Sequence, residues 1–85
     1  MLEFSIFQRL PSWSQAEALA KYGTVLAQRQ HKEWSVSLYS LNSRFVELWE
    51  KDGLRITTSF RADATALAIA EPYLEHIDLQ HLAGG

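Results

Sequence analysis

From Trp34 to Phe60 the chain falls into three runs in which apolar and polar residues largely alternate: WSVSLYSL, RFVELWE and LRITTSF. Period-two alternation over runs this short predicts strands, and the links Asn42-Ser43 and Asp52-Gly53 predict tight antiparallel hairpins. A two-residue turn at Asn42-Ser43 sets Ser40 opposite Phe45, Leu38 opposite Glu47 and Val36 opposite Trp49. A type I′ turn at Asp52-Gly53 sets Trp49 opposite Ile56, Glu47 opposite Thr58 and Phe45 opposite Phe60. The two registers agree. They gather Trp34, Val36, Leu38, Phe45, Trp49, Leu54, Ile56 and Phe60 on one face, the expected core side. Ser35, Ser37, Arg44, Glu50, Arg55, Thr57 and Ser59 fall on the other. A slip by one residue in either hairpin would scatter the aromatic residues over both faces.

Upstream, Leu10-Pro11 closes an N-terminal arm carrying Phe4, Ile6, Phe7 and Leu10. Ser12 with Gln15, or Ser14 with Glu17, has the spacing of a capping box and predicts a helix from about Trp13. Trp13, Ala16, Leu19, Ala20 and Gly23 form its apolar stripe. Gly23 reads as a left-handed cap that releases Thr24-Val25-Leu26 into a strand; the alternative is a helix running on to about Gln30. Downstream, Asp63 is a cap for a helix from Ala64 to Ala70, with Leu67, Ala70, Leu74 and Ile77 as its core stripe. Pro72 should interrupt that helix, and Asp78 offers a cap for one more turn, Leu79 to Leu82. The whole reads as one α+β domain over residues 1–85: an N-terminal helix, a four-stranded (alternatively three-stranded) antiparallel meander and a C-terminal helix interrupted at Pro72. The helices are expected mainly on one sheet face.

Composition narrows the function more than it names one. With 85 residues, 47% of them hydrophobic and 21% charged, the chain has the means for one packed core. Eight Lys and Arg against ten Asp and Glu leave a net charge of −2, which gives no broad positive field for nucleic acid. There is no cysteine, hence no disulfide and no thiol nucleophile, which is compatible with a reducing compartment. MLEFSIFQRL lacks the pattern of a secretory signal, and no run of 18 apolar residues is present, so a cytoplasmic protein with no membrane partner is expected. Phosphate-cradling glycine loops and the GxSxG pattern are missing, and no cofactor is implied. Glu75, His76, Asp78 and His81 are the nearest approach to a metal set. His76 and His81 are five apart, which does not align them on one helical face, so no metal site is predicted. His31 reads as a surface residue.

Two places break the partition of the sheet. Glu47 falls between Phe45 and Trp49 on the apolar face, where a carboxylate is desolvated unless a cation or donors compensate. Arg29, Thr58 and Trp49 are its expected neighbours, and together they are a candidate ligand or buried-polar site; no catalytic residue is assigned. On the opposite face Tyr39, Leu41, Val46 and Leu48 form an apolar patch among serines and threonines, a candidate interface unless the arm or a helix covers it. The leading expectation is a small interaction or regulatory domain that self-associates as a homodimer, or binds another protein, through this patch. The alternatives are a ligand-binding protein or enzyme built around Glu47, and a subunit of a larger complex.

Leu10-Pro11, Gly23-Thr24-Val25-Leu26, Leu38-Tyr39-Ser40-Leu41, Phe45-Val46-Glu47-Leu48-Trp49 and Pro72-Tyr73-Leu74 with Ile77-Asp78-Leu79 together resemble a family of short bacterial proteins of unknown function, chiefly from Bacteroidetes. The resemblance implies a strand after Gly23, hence a helix, four antiparallel strands and a C-terminal helix, and it carries no activity. The Lys32-Glu33 link between the first two strands lacks a turn glycine, which speaks against the first strand.

Overall fold

Tight turns organise the chain. In the computed structural model, which describes residues 2–61 and 63–74, α1 (Phe4–Arg9) and α2 (Ser12–Tyr22) precede β1 (Thr24–His31), β2 (Trp34–Leu41), β3 (Arg44–Lys51) and β4 (Leu54–Ser59), and α3 (Ala66–Leu74) follows. The strands form one antiparallel sheet in the order β1-β2-β3-β4. Asn42 and Ser43 (φ 50° and 64°), like Asp52 and Gly53 (φ 48° and 83°), are left-handed at both turn positions. That is the requirement of a type I′ turn, whose twist matches the right-handed twist of the strands it joins. Lys32 also takes a positive φ, of 55°, in a link without glycine. A left-handed non-glycine residue costs on the order of 1–2 kcal/mol, which pairing along β1 and β2 offsets.

The registers are those the turns dictate. Ser40 faces Phe45, Leu38 faces Glu47 and Val36 faces Trp49; Trp49 in turn faces Ile56, and Glu47 faces Thr58. The pair expected between Phe45 and Phe60 lies past the end of β4. A strand does follow Gly23, with a bulge between Val25 and Ala27. Gly23 itself is extended (φ −90°, ψ 166°) rather than left-handed. Its smallness answers to a close approach: a Cβ there would lie 2.8 Å from the Leu19 carbonyl oxygen and 3.1 Å from the Tyr39 ring.

The helices reverse the expected roles of the faces. The larger core joins Phe4, Phe7, Ala16, Ala18 and Leu19 of α1 and α2 to Leu41, Val46 and Leu48 of the sheet, with Tyr39 packed at its side. Alanines at 16 and 18 bring α2 close enough for Leu19 to be fully enclosed. The patch expected to be an outer surface is therefore the main core, and the arm that covers it is helical. The face expected to be the core receives only α3, in a smaller cluster of Leu38, Ile69 and Tyr73 with Ala27, Phe45, Phe60 and Ala64 around it.

Several local expectations change with this arrangement. Trp13 is 66% exposed, outside the stripe formed by Ala16 and Leu19. Neither capping box forms at the start of α2; its Ncap is Pro11, with no side-chain cap. Gln15 Nε2 instead donates to the carbonyls of Phe7 (3.1 Å) and Gln8 (3.4 Å), and its Oε1 accepts from the Thr57 hydroxyl, fastening α2 to α1 and β4. In α3 the buried pair is Ile69 and Tyr73, one turn apart, while Leu67 is 68% exposed. Pro72 lies inside α3 rather than at a break. The expectations for Ile77, for the Asp78 cap and for Glu75, His76, Asp78 and His81 fall outside the described residues.

Candidate functional site

The pairing of the strands carries Arg29 and Glu47 to the half-open face. Arg29 on β1 is opposite Val36 on β2, which is opposite Trp49 on β3; Glu47 sits one pleat away, opposite Leu38. Arg29 therefore reaches diagonally across β2. Its Nη2 donates to Glu47 Oε2 at 3.4 Å, and both side chains are about nine-tenths buried. From above, the Tyr73 hydroxyl donates to the same oxygen at 2.5 Å. The guanidinium lies between two rings, with Cζ 5.1 Å from the Trp49 centroid and 5.2 Å from that of Tyr73. Trp49 also meets His31 and Trp34 edge-on, at 5.7 and 6.2 Å. Beneath this roof Val36 is almost fully enclosed.

The electrostatics of the cluster are those of a closed unit. A buried carboxylate is expensive unless it is paired and hydrogen-bonded, and here one cation and one phenol meet that need. Burial holds the Tyr73 hydroxyl above the ordinary tyrosine range; its bond to Glu47 and the nearby negative charge add to the effect, against the opposing influence of Arg29. Arg29 Nε and Trp49 Nε1 are buried without a hydrogen-bond partner among the described residues. The rings on either side of Arg29 supply cation–π attraction in its place.

Of the residues expected around Glu47, Arg29 and Trp49 are assembled with it, whereas Thr58 is opposite in register but exposed. Tyr73 completes the cluster and was not anticipated from the sequence. Its signal is the one-turn spacing from Ile69, which sets the inward face of α3. Of the expected interface, Leu41, Val46 and Leu48 are buried beneath α1 and α2, and Tyr39 is partly buried beside them. An interface that needs them accessible has no surface to use.

Beside the cluster, between α3 and the sheet, opens an apolar cleft of about 340 Å³ lined by Leu26, Ala27, Leu38, Phe45, Ala66, Ile69, Ala70, Tyr73 and Leu74. Tyr73 is the one residue among these with a polar side-chain group, and its hydroxyl is committed to Glu47. Among the described residues no group of three His, Cys, Asp or Glu is placed to hold a metal, and no helix is long and apolar enough to cross a membrane. No protein-family model, curated protein or solved structure matches the chain.

Proposed function

We propose that the chain is a small cytoplasmic interaction domain that self-associates, through the edge of β1 that pairs with no described strand and the adjoining flank of α3. The observation that carries this reading is the β1 edge. β1 is eight residues long, TVLAQRQH, and pairs with β2 alone among the described strands. An unpaired edge is a template for another strand, and proteins commonly blunt it with lysine, proline or a bulge. β1 has no lysine or proline, and its bulge is confined to one end, between Val25 and Ala27. Val25 and Leu26 are half exposed along it.

The flank of α3 supports the same reading. In ALAIAEPYL the one charged residue is Glu71, and Ile69 and Tyr73 are the buried ones. Leu67 and Leu74 remain exposed, although a helix apolar on most sides is ordinarily packed on most sides. Arg29, Glu47 and Tyr73 then have a positioning role, pinning α3 next to the β1 edge. A reading of Glu47 as an acid or base has less support, since its carboxylate is engaged by two donors and does not line the cleft.

Size-exclusion chromatography with light scattering at about 100 μM, a concentration that populates even micromolar dimers, tests the proposal. The expected mass is twice that of the chain, and Leu26→Lys with Leu67→Lys should return it to the monomer with an unchanged circular dichroism spectrum. A monomeric wild-type chain at that concentration would refute self-association and leave the subunit of a larger complex as the reading to pursue.

A further inference from the structure

We infer that the buried cluster of Arg29, Glu47 and Tyr73 is the device that selects which side of α3 docks on the sheet, and that without it the helix turns about its axis to a second, leucine-lined docking. This inference goes beyond the proposed self-association and applies to a monomer as much as to a dimer.

α3 offers two apolar stripes. Ile69 and Tyr73, four residues apart, are its buried residues. Leu67, Ala70 and Leu74 have the i, i+3, i+7 spacing of a second stripe, in which Leu67 is 68% and Leu74 44% exposed. At 3.6 residues per turn the two stripes lie about 120° apart around the helix. Hydrocarbon does not choose between them. The seat beneath α3 is made of Ala27, Leu38 and Phe45, and hydrophobic attraction to such a seat is non-directional. Burying two leucines rewards the second docking comparably to burying one isoleucine and one phenol ring. Ala70 and Leu74 already share a wall with Leu38 and Phe45, so the turn carries them onto side chains they adjoin.

The polar atoms do choose. Glu47 belongs to β3 and Arg29 to β1, so their ion pair is part of the sheet and keeps its place whichever side of α3 arrives. Only the docking with Tyr73 inward brings a hydroxyl to Glu47 Oε2, at 2.5 Å, and a second ring to the guanidinium. In the turned docking two leucines lie over a carboxylate that has one donor fewer, and leaving a buried charged acceptor short of a donor is costly. A single buried polar contact of this kind specifies one packing among several that are equally apolar.

The chain has no cysteine, so an introduced thiol reports only its own accessibility. Leu67→Cys, Ala68→Cys and Ile69→Cys can each be labelled with a small maleimide in three backgrounds: otherwise wild type, Tyr73→Phe, and Glu47→Leu with Arg29→Met. In the first, Leu67→Cys and Ala68→Cys should react at least tenfold faster than Ile69→Cys. Glu47→Leu with Arg29→Met deprives the Tyr73 hydroxyl of its acceptor. There Ile69→Cys should react at least tenfold faster than before and Leu67→Cys more slowly, while Ala68→Cys, exposed in the structure and about 120° from either stripe, should not change. Tyr73→Phe keeps the ring and the ion pair; it should move the same two rates in the same directions, and it decides the matter if the double variant does not fold. Unchanged rates at both positions, in backgrounds with a wild-type circular dichroism spectrum, would overturn the inference, because packing alone would then set the docking. So would a rise at position 69 without a fall at position 67, which reports a helix that lifts off the sheet instead of turning on it.

Discussion

The two faces of the sheet divide its hydrocarbon unequally, and the face that carries less of it is the better covered. Under α1 and α2, the side chains of Leu41, Val46 and Leu48 are closed in by Phe7, Ala16 and Leu19. On the other face, Trp34 and Trp49 are partly open, and Leu54 and Ile56 are 58% and 47% exposed. Large aromatic side chains did not choose the interior. The side that became the core is the one that two short helices with small contact residues are able to approach, because close packing rewards fit rather than bulk. The aromatic face is instead organised by polarity, with a buried ion pair and a phenol fixing α3 over one end of it.

Substitutions on the two faces should separate accordingly. Phe7→Ala empties a closed site and should lower the unfolding free energy by about 3–5 kcal/mol in urea titrations. Glu47→Ala should cost about as much, roughly 3–5 kcal/mol, by leaving the Arg29 guanidinium buried without its counter-charge. Glu47→Leu combined with Arg29→Met should recover most of that loss, since a well-packed apolar pair is often as stable as a buried ionic one. If the double variant is no better than Glu47→Ala, the cluster does more than hold the helix.

Tyr73→Phe removes one charge-assisted hydrogen bond and should cost about 1.5–3 kcal/mol at neutral pH. Because the folded state holds this hydroxyl above its ordinary range, its contribution is complete below about pH 10 and is lost as pH rises further. The gap in melting temperature between wild type and Tyr73→Phe should therefore narrow above about pH 10. A gap that widens there would contradict the assignment. The smallest effect belongs to Ile56→Ala on the open face, below about 1 kcal/mol.

What was legible in the sequence was what local geometry decides. Asn42-Ser43 and Asp52-Gly53, with the alternation around them, specify the register of β2, β3 and β4; Arg29 comes within reach of Glu47 through the β1–β2 pairing across Lys32-Glu33, a link with no turn glycine to announce it. The side of the sheet on which the helices settle is not local information: alternation says which residues share a face, not which face is covered. The phase of α3 was hidden for a related reason. Leu67 and Leu74 present a stripe as plausible as Ile69 and Tyr73, and the choice rests on a hydroxyl finding a carboxylate two strands away. At Gly23 the strand was legible but the need for glycine was not, because the constraint comes from the Leu19 carbonyl oxygen and from the Tyr39 ring on β2.

The most direct test of the reversed faces is a pair of lysine substitutions, Val46→Lys and Ile56→Lys, followed by thermal denaturation in circular dichroism. Val46 is fully buried beneath α1 and α2 and Ile56 is half exposed. Val46→Lys should abolish the cooperative transition, and Ile56→Lys should melt within about 5 °C of wild type. A Val46→Lys chain that stays folded with an unchanged transition, or an Ile56→Lys chain that unfolds, would contradict the account.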